Sequence, residues 1–177
     1  MKKIYINYEQ MQGHVLNIVR QMNKDRWRPD YIVGITRGGL LPAVLISQYL
    51  DIPMYSLKVS LRDGDDDCES NGWMSNDAFG EVIYDPMVSS SERKNILIVD
   101  DINDTGATIS WIISDWESGM MPKSEDWKSI WHNNVRFAVI VNNIASDQTV
   151  DYASMEVNKA EEPSWIVFPT EEFWIKP

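Results

Sequence analysis

ILIVDDINDTGATI, residues Ile96 to Ile109, drives four apolar residues into two adjacent carboxylates and then into small hydroxyl-bearing residues and a glycine. A short apolar run of this kind reads as a strand buried on both faces. The pattern predicts a strand over Lys94 to Asp101 and, once the loop is passed, a helix over Thr108 to Trp116. Asp30 to Ile35 (DYIVGI) repeats the arrangement: a strand, a tight TRGG turn at Thr36 to Gly39, and a helical pattern in LLPAVLISQYL. Pro42 is tolerated there because the N–H groups of a first helical turn have no intrahelical partner.

Working outward, Gln10 to Asn23 places Met11, Val15, Ile18, Val19 and Met22 at helical spacing, and Pro53 to Leu61 alternates as a strand. Val135 to Val141 reads as a further buried strand and Trp165 to Phe168 as a short last one. Strands alternating with helices predict an α/β fold, a mainly parallel sheet flanked by helices. Between Arg62 and Arg93 the hydrophobic period is lost, so 62–93 reads as a long flexible loop, either a solvated insertion or a lid. Residues 117–134 form a Trp-rich insertion in which Trp127 and Trp131 share a helical face, for packing or as an interface.

The chain of 177 residues fits one domain, 1–177, and its 44% hydrophobic and 24% charged residues are ordinary for a globular protein. A net charge of −11 works against non-specific binding to nucleic acid or an anionic membrane. No apolar run reaches the ~18 residues of a membrane span, and MKKIYINYEQ turns polar too early for a signal peptide, so a cytoplasmic location is expected. Cys68 has no intramolecular partner and lies among carboxylates, which disfavour a thiolate; it reads as incidental.

Ligands of open α/β sheets bind beyond the carboxyl ends of the strands, where TRGG and DDINDTGAT both fall. A loop entering a helix near Thr108 aims backbone N–H groups and threonine hydroxyls at one spot, which suits a phosphate. Carboxylates cannot bind phosphate, so Asp100 and Asp101 must serve hydroxyl groups, a divalent cation, or both. A sugar phosphate satisfies all of these groups together.

At this point ILIVDDINDTGAT resembles the signature of the type I phosphoribosyltransferases, which bind 5-phosphoribosyl 1-diphosphate (PRPP) with Mg2+. VGITRGGLLPA, the long loop, VRFAVIV and WIVFPTEEF are similar to the xanthine-guanine and hypoxanthine branch. The resemblance implies a type I phosphoribosyltransferase fold with a lid and a small C-terminal hood, the hood and base-binding segment being 142–177. It implies transfer of the phosphoribosyl group to a nucleobase, with purine as the expected class, in nucleotide salvage by a homo-oligomer, dimer or tetramer.

Taken onto this chain, the resemblance makes Thr36, Arg37, Gly38 and Gly39 the pyrophosphate loop. It makes Asp100, Asp101, Asp104, Thr105, Gly106, Ala107 and Thr108 the PRPP loop, with Asp100 and Asp101 on the metal. Asp104 and Arg37 become the catalytic residues, one handling the proton of the base and one the charge of the leaving group. Asn143, Trp165 and Ile166 become base-binding residues. Read alone, Asp104 is equally a cap, Gly38 and Gly39 a tight turn, and Trp165 either a stacking ring or a buried strand residue.

The chain departs from this branch in two places. The lysine that reads the exocyclic oxygen of the base is missing from VIVNNIAS, Val139 to Ser146, which leaves Asn142 or Asn143 and an open base identity. The lid carries five acidic residues between Asp63 and Glu69, with Lys58 and Arg62 as the nearest cations. A non-catalytic PRPP or nucleotide sensor on the same fold therefore stands beside the enzyme, and a phospho-acceptor signalling domain, which leaves TGAT without a task, stands behind both.

Overall fold

The computed structural model describes residues 1–61, 67–80 and 93–171. In chain order these form β1 (Lys2–Tyr5), α1 (Tyr8–Lys24), β2 (Tyr31–Thr36), α2 (Leu40–Leu50), β3 (Met54–Ser60), β4 (Asp67–Cys68) and α3 (Gly72–Phe79). They continue with β5 (Ile96–Asn103), α4 (Ala107–Gly119), a 3-10 turn (Glu125–Ser129), β6 (Val135–Asn143), β7 (Tyr152–Val157) and β8 (Ser164–Val167). Six strands make one sheet in the order β4-β3-β2-β5-β6-β7, parallel throughout except where β4 turns back on β3.

The apolar runs of β2 and β5 are fully buried because successive side chains feed two cores. Ile32, Leu97 and Val99 face a core built with α1 and α2, and Val33, Ile96 and Ile98 face one built with α3 and α4. Met11, Val15, Ile18, Val19 and Met22 of α1 are all buried, as their spacing requires. Asn7 caps α1 by accepting from Gln10 N–H at 2.8 Å while the Gln10 amide oxygen accepts from Asn7 N–H, a reciprocal capping box.

The expected loop of 62–93 carries more order than its composition announces. Asn71 caps α3 by accepting from Met74 N–H, and Met74, Ala78 and Phe79 enter the second core, so packing overrides a Gly- and Asn-rich helix sequence. The remainder of the expected lid, 62–66 and 81–92, lies outside the described residues, Arg62 among it.

In the Trp-rich insertion the two indoles do meet, stacked with centroids 5.4 Å apart, but from a 3-10 turn. Trp127 packs on Phe79 and donates to Met120 O at 3.0 Å, and Trp131 Nε1 donates to Glu117 Oε1 at 2.9 Å. Both rings pack within their own chain, Trp127 buried and Trp131 half-buried.

β8 pairs in parallel with β1 in a separate two-stranded sheet, register Lys3 with Trp165 and Ile4 with Ile166. β8, within the segment expected as a C-terminal hood, thus takes residues 2–5 as its ladder partner, a strand the sequence reading omitted. No helix among the described residues is long and apolar enough to cross a membrane.

Candidate active site

β2 and β5 are neighbours, yet the chain leaves β2 toward β3 on one side and leaves β5 toward β6 on the other. That makes their carboxyl ends the topological switch point, where an open α/β sheet leaves a crevice. The two chemically marked loops emerge at these two ends. A cleft at Asn23, Arg26 and Trp27 is roomier, but it lies at the amino end of β2, away from both loops.

The loops touch. A Cβ on Gly38 would stand 2.1 Å from Asp101 Oδ2, and one on Gly39 would stand 2.2 Å from Val99 O. Only glycines bring the first loop this close to the end of β5. Gly39 N–H donates to Ile35 O at 2.9 Å, closing the turn, and Arg37 is left exposed at its tip. The Thr36–Arg37 peptide is cis.

Adjacent strand residues point to opposite faces. Asp101 accordingly faces the glycine loop, whereas Asp100 lies with Thr108 and Ile109 on the α4 side. Asp101 N–H donates to Asp100 Oδ1 at 2.9 Å and Ile102 N–H to Asp101 Oδ1 at 2.8 Å. Two half-buried carboxylates therefore straddle the crest of the sheet.

Gly106 enters α4 at φ 90, a conformation suited to glycine, and offers no side-chain cap to the helix N–H groups. Thr105 Oγ1 accepts from Ala107 N–H at 3.3 Å, and Thr108 is half-buried behind it. An uncapped helix start with hydroxyls beside it is suited to an anion. The loop after β6 backs this turn: Ser146 Oγ donates to Asn103 Oδ1 at 2.9 Å and Asp147 N–H to Thr105 O at 3.2 Å. Asn103 is buried and donates to Asn142 Oδ1 and Gln148 O, which locks the end of β5 to the end of β6.

The base-side expectations divide. Asn143 is only 7% exposed, and its amide is committed to backbone: it donates to Asp104 O at 2.8 Å and accepts from Lys159 N–H at 3.0 Å and Ala145 N–H at 3.3 Å. It braces the loops where a base-reading group was expected. Ile166 is buried in the first core, which leaves its backbone, not its side chain, for a base. Trp165 is 44% exposed, so the buried-strand alternative does not hold for it.

Sequence reading missed Lys159, which stands two residues beyond β7 and donates from Nζ to Asp104 Oδ2 at 2.8 Å. Its one sequence signal was a lone lysine between a strand and Trp165, without the motif that marks the two loops. Lys58, the other expected cation, is paired with Asp67 of β4, so part of the acidic run is neutralised within the chain.

For a divalent cation, the described residues contain no cluster of three or more His, Cys, Asp or Glu side chains. Mg2+ is commonly held by one or two carboxylates with substrate phosphates and water completing the shell. The hard-oxygen pair Asp100 and Asp101 beside an anion-suited turn fits that mode of binding.

The arrangement defines an open α/β protein with an anion-suited turn at its switch point, a paired carboxylate beside it and a carboxylate–lysine pair one step further along the sheet. The chain belongs to the phosphoribosyl transferase domain family, whose model matches residues 5–174. It is similar to a purine phosphoribosyltransferase structure from Pyrococcus horikoshii, with 26% identity, a TM-score of 0.65, and coverage of 100% of this chain and 99% of that one. It is also 26% identical over 132 residues to xanthine phosphoribosyltransferase 1 of Saccharomyces cerevisiae, covering 66% of this chain and 61% of the yeast protein. A xanthine-guanine phosphoribosyltransferase of Cereibacter sphaeroides is 29% identical over 144 residues, 81% of this chain and 68% of that protein. The type I fold expected from the two loops is thereby met, and so is the family.

Proposed function

We propose that the protein transfers the phosphoribosyl group of PRPP to a purine base with release of pyrophosphate, as a Mg2+-dependent enzyme of nucleotide salvage. The contact of the two loops at the switch point, Gly38 against Asp101, carries this reading. A sugar phosphate lying across the two loops would have an anion-suited turn at each end.

In this reading the α4 start, with Thr105, Gly106, Ala107 and Thr108, receives the 5-phosphate, and Asp101 and Asp100 meet the ribose hydroxyls. Thr36, Arg37, Gly38 and Gly39 receive the pyrophosphate, where the Arg37 guanidinium offers a charged fork to oxygens that gain negative charge as the C1 bond breaks. Mg2+ held at Asp100 and Asp101 would neutralise the same oxygens. Asp104 accepts the proton released by the base nitrogen as that nitrogen bonds C1. Trp165 offers the base a flat face. A homo-oligomer in the cytoplasm completes the proposal.

The test is nucleotide formation followed by chromatography, using Mg2+, PRPP and a panel of guanine, xanthine, hypoxanthine, adenine, uracil and orotate. Conversion of a purine, abolished by Asp100→Asn with Asp101→Asn, supports the reading. Asp104→Asn should retain PRPP affinity and lose about 10²–10⁴ in turnover. PRPP binding without conversion of any base would instead make the chain a sensor on this fold.

A further inference from the structure

We propose that Asn103 is a positioning residue for the phosphate of the sugar: through the loop after β6 it fixes Gly106 and the first turn of α4 before PRPP arrives. This rests on the transferase reading above, in which that turn receives the 5-phosphate. Asn103 is the last residue of β5 and only 3% exposed, and every polar group of its side chain is used. The amide nitrogen donates to Asn142 Oδ1 at 2.9 Å and to Gln148 O at 2.8 Å, and Oδ1 accepts from Ser146 Oγ at 2.9 Å.

An apolar side chain of similar size would fill the same space at no polar cost, but apolar contact has no direction. Hydrogen bonds do, and two of these three are aimed at the residues that stand behind the turn. A Cβ on Gly106 would meet Gln148 N, Gln148 Cγ and Ser146 Oγ, each at 2.9 Å. Gly106 therefore lies flush against a wall whose two contact residues Asn103 holds.

The same segment grips the turn on either side of Gly106. Asp147 N–H donates to Thr105 O at 3.2 Å and Gln148 Nε2 to Ser110 Oγ at 2.9 Å, while Gln148 N–H closes on Ser146 Oγ at 3.2 Å. Residues 146–148 thus reach the residue before Gly106, Gly106 itself and the helix one turn on. The wall bonds carbonyl and hydroxyl oxygens of the turn and none of its N–H groups, the donors a phosphate needs. A turn held from behind has less freedom to lose when the anion binds, so its affinity depends on the wall.

Ribose 5-phosphate and pyrophosphate separate the two turns, since in the reading above each probe occupies one of them. Both are titrated with Mg2+ by calorimetry into the wild type, Asn103→Leu and Ser146→Ala, beside thermal unfolding and initial rates. In Asn103→Leu the Kd for ribose 5-phosphate should rise about 10- to 100-fold while that for pyrophosphate holds. The KM for PRPP should rise in step, and the KM for the base should not. Ser146→Ala removes one of the three bonds and keeps Asn103 in place, so it should remain folded and show a smaller loss confined to the same probe.

Equal loss toward both probes, or a lower melting temperature with both affinities unchanged, would make Asn103 a structural residue only and overturn the assignment. A wild type that forms nucleotide from PRPP yet binds no ribose 5-phosphate overturns it as well while leaving the transferase reading intact. A wild type that forms no nucleotide and binds neither probe removes both.

Discussion

Gly38→Ala tests whether the two loops form one site. A Cβ at this position stands 2.1 Å from Asp101 Oδ2, 2.4 Å from its Cγ and 2.8 Å from Oδ1. Restoring ordinary contact requires the carboxylate or the loop to retreat by about 1 Å. A misplacement of that size in a positioned site costs about 10²-fold. The obstacle is a side chain able to rotate, so the fold should survive with a loss of about 1–3 kcal/mol.

Gly39→Ala is the internal contrast. Its Cβ meets Val99 O at 2.2 Å and Ile35 N at 2.8 Å, all backbone of the two central strands, and nothing there can rotate aside. Calorimetric titration of PRPP with Mg2+, run beside thermal denaturation, separates the two. Gly38→Ala should stay folded, melting lower by about 2–12 °C as a loss of about 1–3 kcal/mol implies, and bind PRPP about 10²-fold more weakly, while Gly39→Ala should lose its stability first. A folded Gly38→Ala protein that binds PRPP as the wild type does would refute the placement of the first loop on the Asp101 side of the ligand.

Asn143→Ala removes the partner of Asp104 O and of the Lys159 and Ala145 N–H groups, and should lower stability by about 1–3 kcal/mol in urea denaturation while weakening base use more than PRPP binding. Trp165→Ala, at an exposed position, should leave the melting temperature nearly unchanged and weaken nucleotide binding by about 1–3 kcal/mol, read by equilibrium titration. Gly13→Ala, in α1 with nothing within 4 Å of the new methyl, should stabilise by about 0.5–1 kcal/mol in thermal denaturation. The hydrogen bond that His132 Nδ1–H donates to the Asp151 carboxylate raises the imidazole pKa above its ordinary 6.5, against a smaller opposing effect of burial. Its contribution is full below that ordinary value and fades as pH rises through the raised one, by under about 1 kcal/mol for so exposed a pair. His132→Gln should flatten this part of the melting-temperature profile.

The elements legible in the sequence are those whose residues carry their own signal. β2 and β5 are buried on both faces and read as unbroken apolar runs, and α1 shows its full stripe. β7, an edge strand with half-buried residues, offers no such run in YASMEV, and β1 draws its order from pairing with β8, which no local pattern encodes. α3 depends on Met74, Ala78 and Phe79 reaching a core assembled elsewhere. The site divides in the same manner. Asp100, Asp101 and the turn at Gly106 lie in one contiguous motif, while Lys159 and the bracing by Asn143 exist only once β5, β6 and β7 stand side by side.

The pairing of β1 with β8 also sets an order of assembly. The residues proposed for the phosphates, Thr36 to Gly39 and Thr105 to Thr108, all lie between β2 and the end of α4. Trp165, in contrast, rides on a strand whose ladder partner is β1, and the ion pair beside it, Lys2 with Glu162, bridges a separation of 160 residues. Closing so long a loop carries an entropic cost that local contacts do not, so such pairings form late in folding and, where few contacts hold them, open early. Trp165, proposed as the aromatic platform, should therefore lie in a unit that folds after β2 and β5 and exchanges its amide hydrogens before them, an order that native-state hydrogen exchange would read.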